Sequence, residues 1–257
     1  MSTTTAPLPT PARRAPAPGP AAPPQYSLRK ILSVWAAAAL PMAALAWIVA
    51  PILADHLHGP SPLPRALLLT LTAGLIWQFA LVGILLWREL GTLRWSQVKP
   101  ALWLTAPPRK AWLLFPLLIL GFGAEEFIPE VHHVVSRDFA TFLDSHAGHA
   151  LFAGSWGWFA VIVTLAVFNT VLGEELLFRG LLLPRMNGVF GKRDWLANGV
   201  LFGTYHLHMP WAIPAALFDT FFVAWPTKRF RSAWIGIAVH SVQSVFIILA
   251  VLALVAG

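Results

Sequence analysis

Polar positions are sparse along this chain, and they separate apolar runs of near-spanning length. A bilayer core takes about 20 apolar residues per helical span, somewhat fewer where a helix is partly shielded from lipid. The runs predict spans near 31–53, 66–87, 111–127, 156–182, 195–208, 211–226 and 232–255. The fold expected is all-α: a polytopic transmembrane helical bundle of about seven spans. The third, fifth and sixth are short, so hydropathy defines their ends least well.

Ahead of the first span, the first 25 residues hold eight prolines among Ala, Thr and Gly. Such a segment cannot bury enough apolar surface to offset its ordering entropy. This predicts a disordered cytoplasmic tail over 1–27, then a transmembrane domain over 28–257. The tail is too long and Pro-rich for a signal-peptide n-region, and the apolar run after it is of spanning length.

The placement of Lys and Arg tests the span count, since basic residues favour cytoplasmic loops. Sixteen of the 18 basic residues fall on one side of a seven-span chain, and Arg65 and Arg137 fall on the other. The expected topology has the N-terminus in the cytoplasm. Residues 91–104 mix Leu93, Trp95, Val98, Leu102 and Trp103 with Arg94, Gln97 and Lys99, which suits a segment lying along the inner membrane surface. Trp87, Trp112, Trp195 and Trp225 near span ends fit an interfacial belt.

Composition agrees. Hydrophobic residues reach 57% and charged residues only 11%, against roughly 25% charge in soluble domains. The net charge of +7 raises nucleic acid as a partner, but these cations sit in short clusters between apolar runs rather than on one solvated face, so none is expected. Cysteine is absent, which excludes a disulfide framework, a thiolate zinc site and a Cys nucleophile.

Ionisable side chains inside apolar spans are costly and mark function or internal pairing. Three sites stand out. In Val171–Gly180, Glu175 and Arg179 are four apart and face each other on a helix, while Glu174 is rotated about 100° away and is free for another partner. A structural ion pair at an inner helix end would also account for this stretch. His206 follows Phe202 by four residues on the fifth span, and His240 precedes Ser244 by one turn on the last. Each histidine taken alone reads equally as a hydrogen-bonded core residue.

Taken together, the three stretches resemble the CPBP (CAAX-protease and bacteriocin-processing) family of intramembrane glutamic endopeptidases. That family is marked by Glu-Glu-x-x-x-Arg, Phe-x-x-x-His and His-x-x-x-Asn on successive core helices. Here the positions are Glu174, Glu175 and Arg179; Phe202 and His206; and His240, with Ser244 where the family has Asn. The flanks Phe178-Arg179-Gly180, Ser232 and Trp234 are also similar. The resemblance covers about Val171 to Ser244 and places a catalytic core at about 156–257. It implies that Glu174 and His206 activate a water for attack on a peptide carbonyl, and that His240 and the residue one turn on stabilise the oxyanion. Burial of a carboxylate among apolar groups strengthens its hold on protons, which suits base and then acid chemistry. Glu175, Arg179 and Phe202 are supporting residues. No cofactor and no metal is called for.

The implied protein is an integral membrane peptidase, in a bacterial inner membrane, whose partners are the bilayer and a membrane-associated protein or peptide substrate. Ser244 departs from the family, and a hydroxyl reaches less far than an amide. Gln243 lies about 100° round the helix from it and is not a simple replacement. Three alternatives stand beside the peptidase: an inactive scaffold or immunity-type protein of the same fold, a zinc metallopeptidase using Glu174, His206 and His240, and a transporter. No His-Glu-x-x-His helix and no inverted repeat speaks for the last two. Glu125, Glu126, Glu130, His132, His133, His146 and His149 are expected on a solvated, pH-responsive outer loop. Asp219 is left open between a cavity-lining and a local capping role.

Overall fold

Backbone polar groups find no water in a bilayer core, and helices satisfy them within one segment. The computed structural model describes residues 23–131 and 133–257. Among these the chain is mostly helical, with no strand. Four helical stretches are long and apolar enough to cross a membrane: α1 (Leu28–His56), α2 (Pro62–Leu90), α3 (Trp156–Arg185) and α4 (Ala233–Ala256).

The three shorter expected spans are helical but broken. The 111–127 run is divided among Arg109–Leu113, Phe115–Gly123 and the 3-10 turn Ala124–Phe127. The 195–208 run becomes the helix Asp194–Tyr205 and the turn His206–His208, and 211–226 is divided among Pro210–Ala212, Ile213–Phe218 and Asp219–Phe221. Pro116, Pro210 and Pro214 each sit at the start of a new piece, where a missing N–H is tolerated but a continuing helix is not. Asp194–Tyr205 has 12 residues, so it is about 18 Å long against a core of about 30 Å.

The centre of the molecule is α3, on which residues 173–185 are all buried. Leu176, Leu177, Phe178, Leu181 and Leu182 pack with Ile31 and Met42 of α1, Leu75 and Val82 of α2, Phe202, Tyr205, and Ile237 of α4. A helix that is apolar all round is a buried one. Asp194–Tyr205 is fastened beside it by indoles of α1: Trp35 Nε1 donates to the Leu201 carbonyl and Trp47 Nε1 to the Leu207 carbonyl, both at 2.8 Å.

At the C-terminal end of α3, Arg185 donates through Nε and Nη2 to Glu89 Oε2 at 3.0 and 2.8 Å, and through Nη1 to the Ala101 and Leu181 carbonyls. The short helix Trp95–Ala101 thus lies against this end, and its Trp95 is exposed. Residues 1–22 of the expected tail lie outside the described residues, but 23–27 are docked rather than free. Tyr26 N–H donates to the Arg185 carbonyl, its hydroxyl donates to Glu89, and Gln25 bridges the Pro184 carbonyl and the Gly188 N–H. Burial, reinforced by the Glu89 hydrogen bond, pushes the Tyr26 phenol up, so it stays a donor. An aromatic ring that can bury and a donor that finds a carboxylate outweigh the entropy of ordering this stretch.

Candidate active site

Glu174 and Glu175 sit in α3 between two π-turns, Phe168–Gly173 and Leu176–Leu182. In an α-helix, a residue five places back points about 140° away. The first π-turn, closed by the Glu174 N–H on the Asn169 carbonyl, instead brings Asn169 over Glu174. With its amide nitrogen toward the carboxylate, Asn169 donates to Oε1 at 3.0 Å and to Oε2 at 3.2 Å. Gly173 permits the turn, because a Cβ there would lie 2.4 Å from the Phe168 carbonyl oxygen.

The other partner of Glu174 is the Tyr205 hydroxyl, which in turn accepts from Gln78 Nε2 at 2.6 Å. Glu174 is only 2% exposed, so its carboxylate is held by an amide and a phenol inside an apolar shell. Sequence reasoning missed Asn169, Tyr205 and Gln78. Gln78, a buried amide in the apolar run of α2, was the signal available.

Glu175 faces Arg179 as its spacing implies, with Arg179 Nη1 3.3 Å from Oε1. The same Oε1 lies 3.1 Å from His240 Nδ1. An ionised carboxylate only accepts, so Nδ1 carries the hydrogen and His240 turns Nε2 away from Glu175. Glu175 is therefore shared between a counter-ion and a histidine. The close approach of α4 depends on Gly236, whose Cβ would lie 2.6 Å from Glu175 Oε2.

Phe202 is a wedge between the motifs. The Arg179 guanidinium lies 3.8 Å over its ring, and the rings of His206 and His240 are 4.9 and 6.0 Å from it. His206 begins the turn after the helix Asp194–Tyr205, and its Nδ1 donates to the Phe202 carbonyl at 2.9 Å, leaving Nε2 as an acceptor. Its ring lies 5.1 Å from that of Tyr205 and stacks on that of His208. Ser244 is buried one turn beyond His240, and Ser241 Oγ donates to Thr170 Oγ1 at 3.2 Å, tying α4 to α3.

Two acidic residues of uncertain place in the sequence join this neighbourhood. Glu125 lies against Asp219 and accepts from Gln243 Nε2 at 3.2 Å. Glu125 is thus turned inward rather than out on the loop, because the Ala124–Phe127 turn ends the helix on that side. On the loop itself His133 lies 2.8 Å from Glu130 and 3.8 Å from Asp138; His132 lies outside the described residues. Among the described residues, only Glu130, His133 and Asp138 bring three ligand atoms within 4.8 Å of one another. The trio of the zinc alternative, Glu174, His206 and His240, does not meet that spacing.

Residues 156–246 match the model of a protein family described as type II CAAX prenyl endopeptidase Rce1-like. No curated protein and no solved structure matched the chain. The match begins with α3 and ends two residues past Ser244, so it takes in all three motifs. Together with the four long apolar helices it makes the chain an integral membrane protein. Over residues 156–246 the chain is thus similar to the type II CAAX prenyl endopeptidase Rce1-like family, a family of proteases.

Proposed function

We propose that the chain is an intramembrane endopeptidase that hydrolyses a peptide bond of a membrane-associated protein or peptide, with Glu174 as the general base. The observation that carries this is the hydrogen bond between Glu175 and His240. It joins the first and third motifs across 65 residues of chain, while Phe202 under Arg179 brings in the second.

A water between the Glu174 carboxylate and His206 Nε2 has an acceptor for each of its hydrogens, which aims an oxygen lone pair at the substrate carbonyl. Glu174 takes a proton as the water oxygen bonds to the carbonyl carbon, then gives it to the departing amine as the C–N bond breaks. The developing oxyanion faces His240 Nε2 and Ser244. To donate through Nε2, His240 carries both ring protons, and Glu175 supplies the counter-charge. The clustering of basic residues supports a cytoplasmic N-terminus, and the Ala- and Pro-rich composition favours a bacterial inner membrane.

The test is cleavage of membrane-anchored peptides by the full chain in proteoliposomes, with Glu174→Gln as the inactive control and a strong zinc chelator in a parallel arm. Chelator-sensitive turnover would overturn the metal-free chemistry. Cysteine labelling near Lys192 from outside would overturn the topology; labelling there from inside, and near His146 from outside, is expected. Ser244 in place of Asn favours a second reading, a scaffold that keeps the fold without proteolysis. That reading wins if Glu174→Gln and Ser244→Ala both leave the biological phenotype intact.

A further inference from the structure

Four carboxyl groups, those of Glu125, Glu174, Glu175 and Asp219, form a linked cluster beside the three motifs. Among the described residues, the positive groups they face are the Arg179 guanidinium and the His240 imidazole. Ionised carboxylates in excess of their counter-charges are costly at membrane depth. Glu174 and Glu175 are accounted for by the partners above. Glu125 and Asp219 are not: they rest against each other, and Gln243, an uncharged amide, reaches only Glu125 Oε1. Asp219 is 5% exposed, and among the described residues its Oδ1 has no hydrogen-bonding partner. A buried acceptor without a donor is a place for a ligand that brings one.

We propose that Glu125 and Asp219 form a subsite that takes a positively charged group of the substrate, the ammonium of a lysine or the guanidinium of an arginine. The proposal rests on the peptidase reading above and names its substrate class: a peptide carrying a basic residue close to the cleaved bond. A cation supplies both the missing donor to Oδ1 and the missing counter-charge. The distance follows from position on the helices. Gln243 is three residues past His240 on α4, and Glu125 is three past Phe122, whose ring centre is 5.9 Å from that of His240. One helical turn is about 5.4 Å and an extended peptide advances about 3.3–3.6 Å per residue. The basic residue therefore lies within about two residues of the scissile bond.

The experiment uses the full chain in proteoliposomes with a library of membrane-anchored peptides randomised over eight positions, the products being sequenced by mass spectrometry. Lysine and arginine are expected to be enriched within two residues of the cut. From the best-cleaved sequence a matched pair is made that differs only as arginine against citrulline, its neutral isostere. The pair should differ in kcat/KM by about tenfold or more, and Glu125→Gln should bring that ratio close to one. Asp219→Asn should do the same; should this buried variant fail to fold, Glu125→Lys serves instead and should turn the preference toward an acidic residue. Cleavage without basic enrichment, or a Glu125→Gln loss that is equal for both members of the pair, overturns the subsite and leaves the peptidase reading standing. Cleavage of no peptide at all overturns both.

Discussion

Arg179 and Arg185 lie six residues apart on α3, and both are fully buried. Arg185 is well partnered: each of its three nitrogens donates, to Glu89 or to main-chain carbonyls. Arg179 has a carboxylate at 3.3 Å and a ring beneath it, yet among the described residues none of its nitrogens has a hydrogen bond of good geometry. The same side chain on the same helix is used in two ways. A fully satisfied buried network fixes one arrangement of the chain, whereas an unsatisfied one keeps donors and acceptors available at an energetic cost. The contrast separates the part of α3 that holds the molecule together from the part proposed to meet a substrate.

The sharpest break in that contrast is Glu174→Gln. Gln keeps the volume and cannot take a proton from water, so turnover should fall by on the order of 10²–10⁴-fold while the melting temperature in detergent stays within a few degrees. At the well-partnered end the pattern reverses. Arg185→Ala leaves Glu89 with only the Tyr26 hydroxyl and the part-exposed Lys30 ammonium and should cost about 3 kcal/mol of stability, read as a drop in melting temperature and in yield of inserted protein. Glu175→Gln sits between the two: it strips Arg179 of its counter-charge and loosens His240, so stability and turnover should both fall. Equal and complete loss of activity from Glu174→Gln and Glu175→Gln, with normal folding in both, would show that the two carboxylates do not divide the work.

Ser244→Ala should cost about 3 kcal/mol of transition-state stabilisation, on the order of a hundredfold in turnover, and Ser244→Asn should preserve or raise the rate. The smallest effect is expected from Tyr205→Phe. It removes one hydrogen bond to Glu174, worth about 0.5–1.5 kcal/mol, and should slow cleavage by only a few-fold, measured as kcat on the same peptide.

What could be read from the chain in advance was the cost of charge in an apolar run. That cost picked out Glu174, Glu175, Arg179, His206 and His240, and helical spacing gave the Glu175–Arg179 pair. The same spacing hid Asn169, because five residues is the wrong interval until a π-turn changes the register. It also assigned Glu125 to the outer loop with Glu126 and Glu130, since hydropathy registers where charge begins and not how a terminal turn aims it. The broken spans were hidden for a related reason: 111–127 is apolar enough, and its prolines act on backbone continuity, to which summed hydropathy is blind. Tyr26 shows the converse, one aromatic residue ordering the end of a segment whose average composition predicts disorder.

On the proposed chemistry, Gly236→Ala is an off-switch one methyl group wide. The glycine's missing Cβ is the space into which Glu175 Oε2 and Thr227 Oγ1 project, 2.6 and 2.9 Å from where that carbon would be. The Glu175 tip is tethered on its other oxygen by His240 and Arg179, so it yields to an added methyl only by releasing one of them. Silencing at this position alters no ionisable group, no net charge and no residue that meets the substrate. A chain stopped in this way still occupies its place in the bilayer, which makes it the control that tells what the protein does by cutting from what it does by being there.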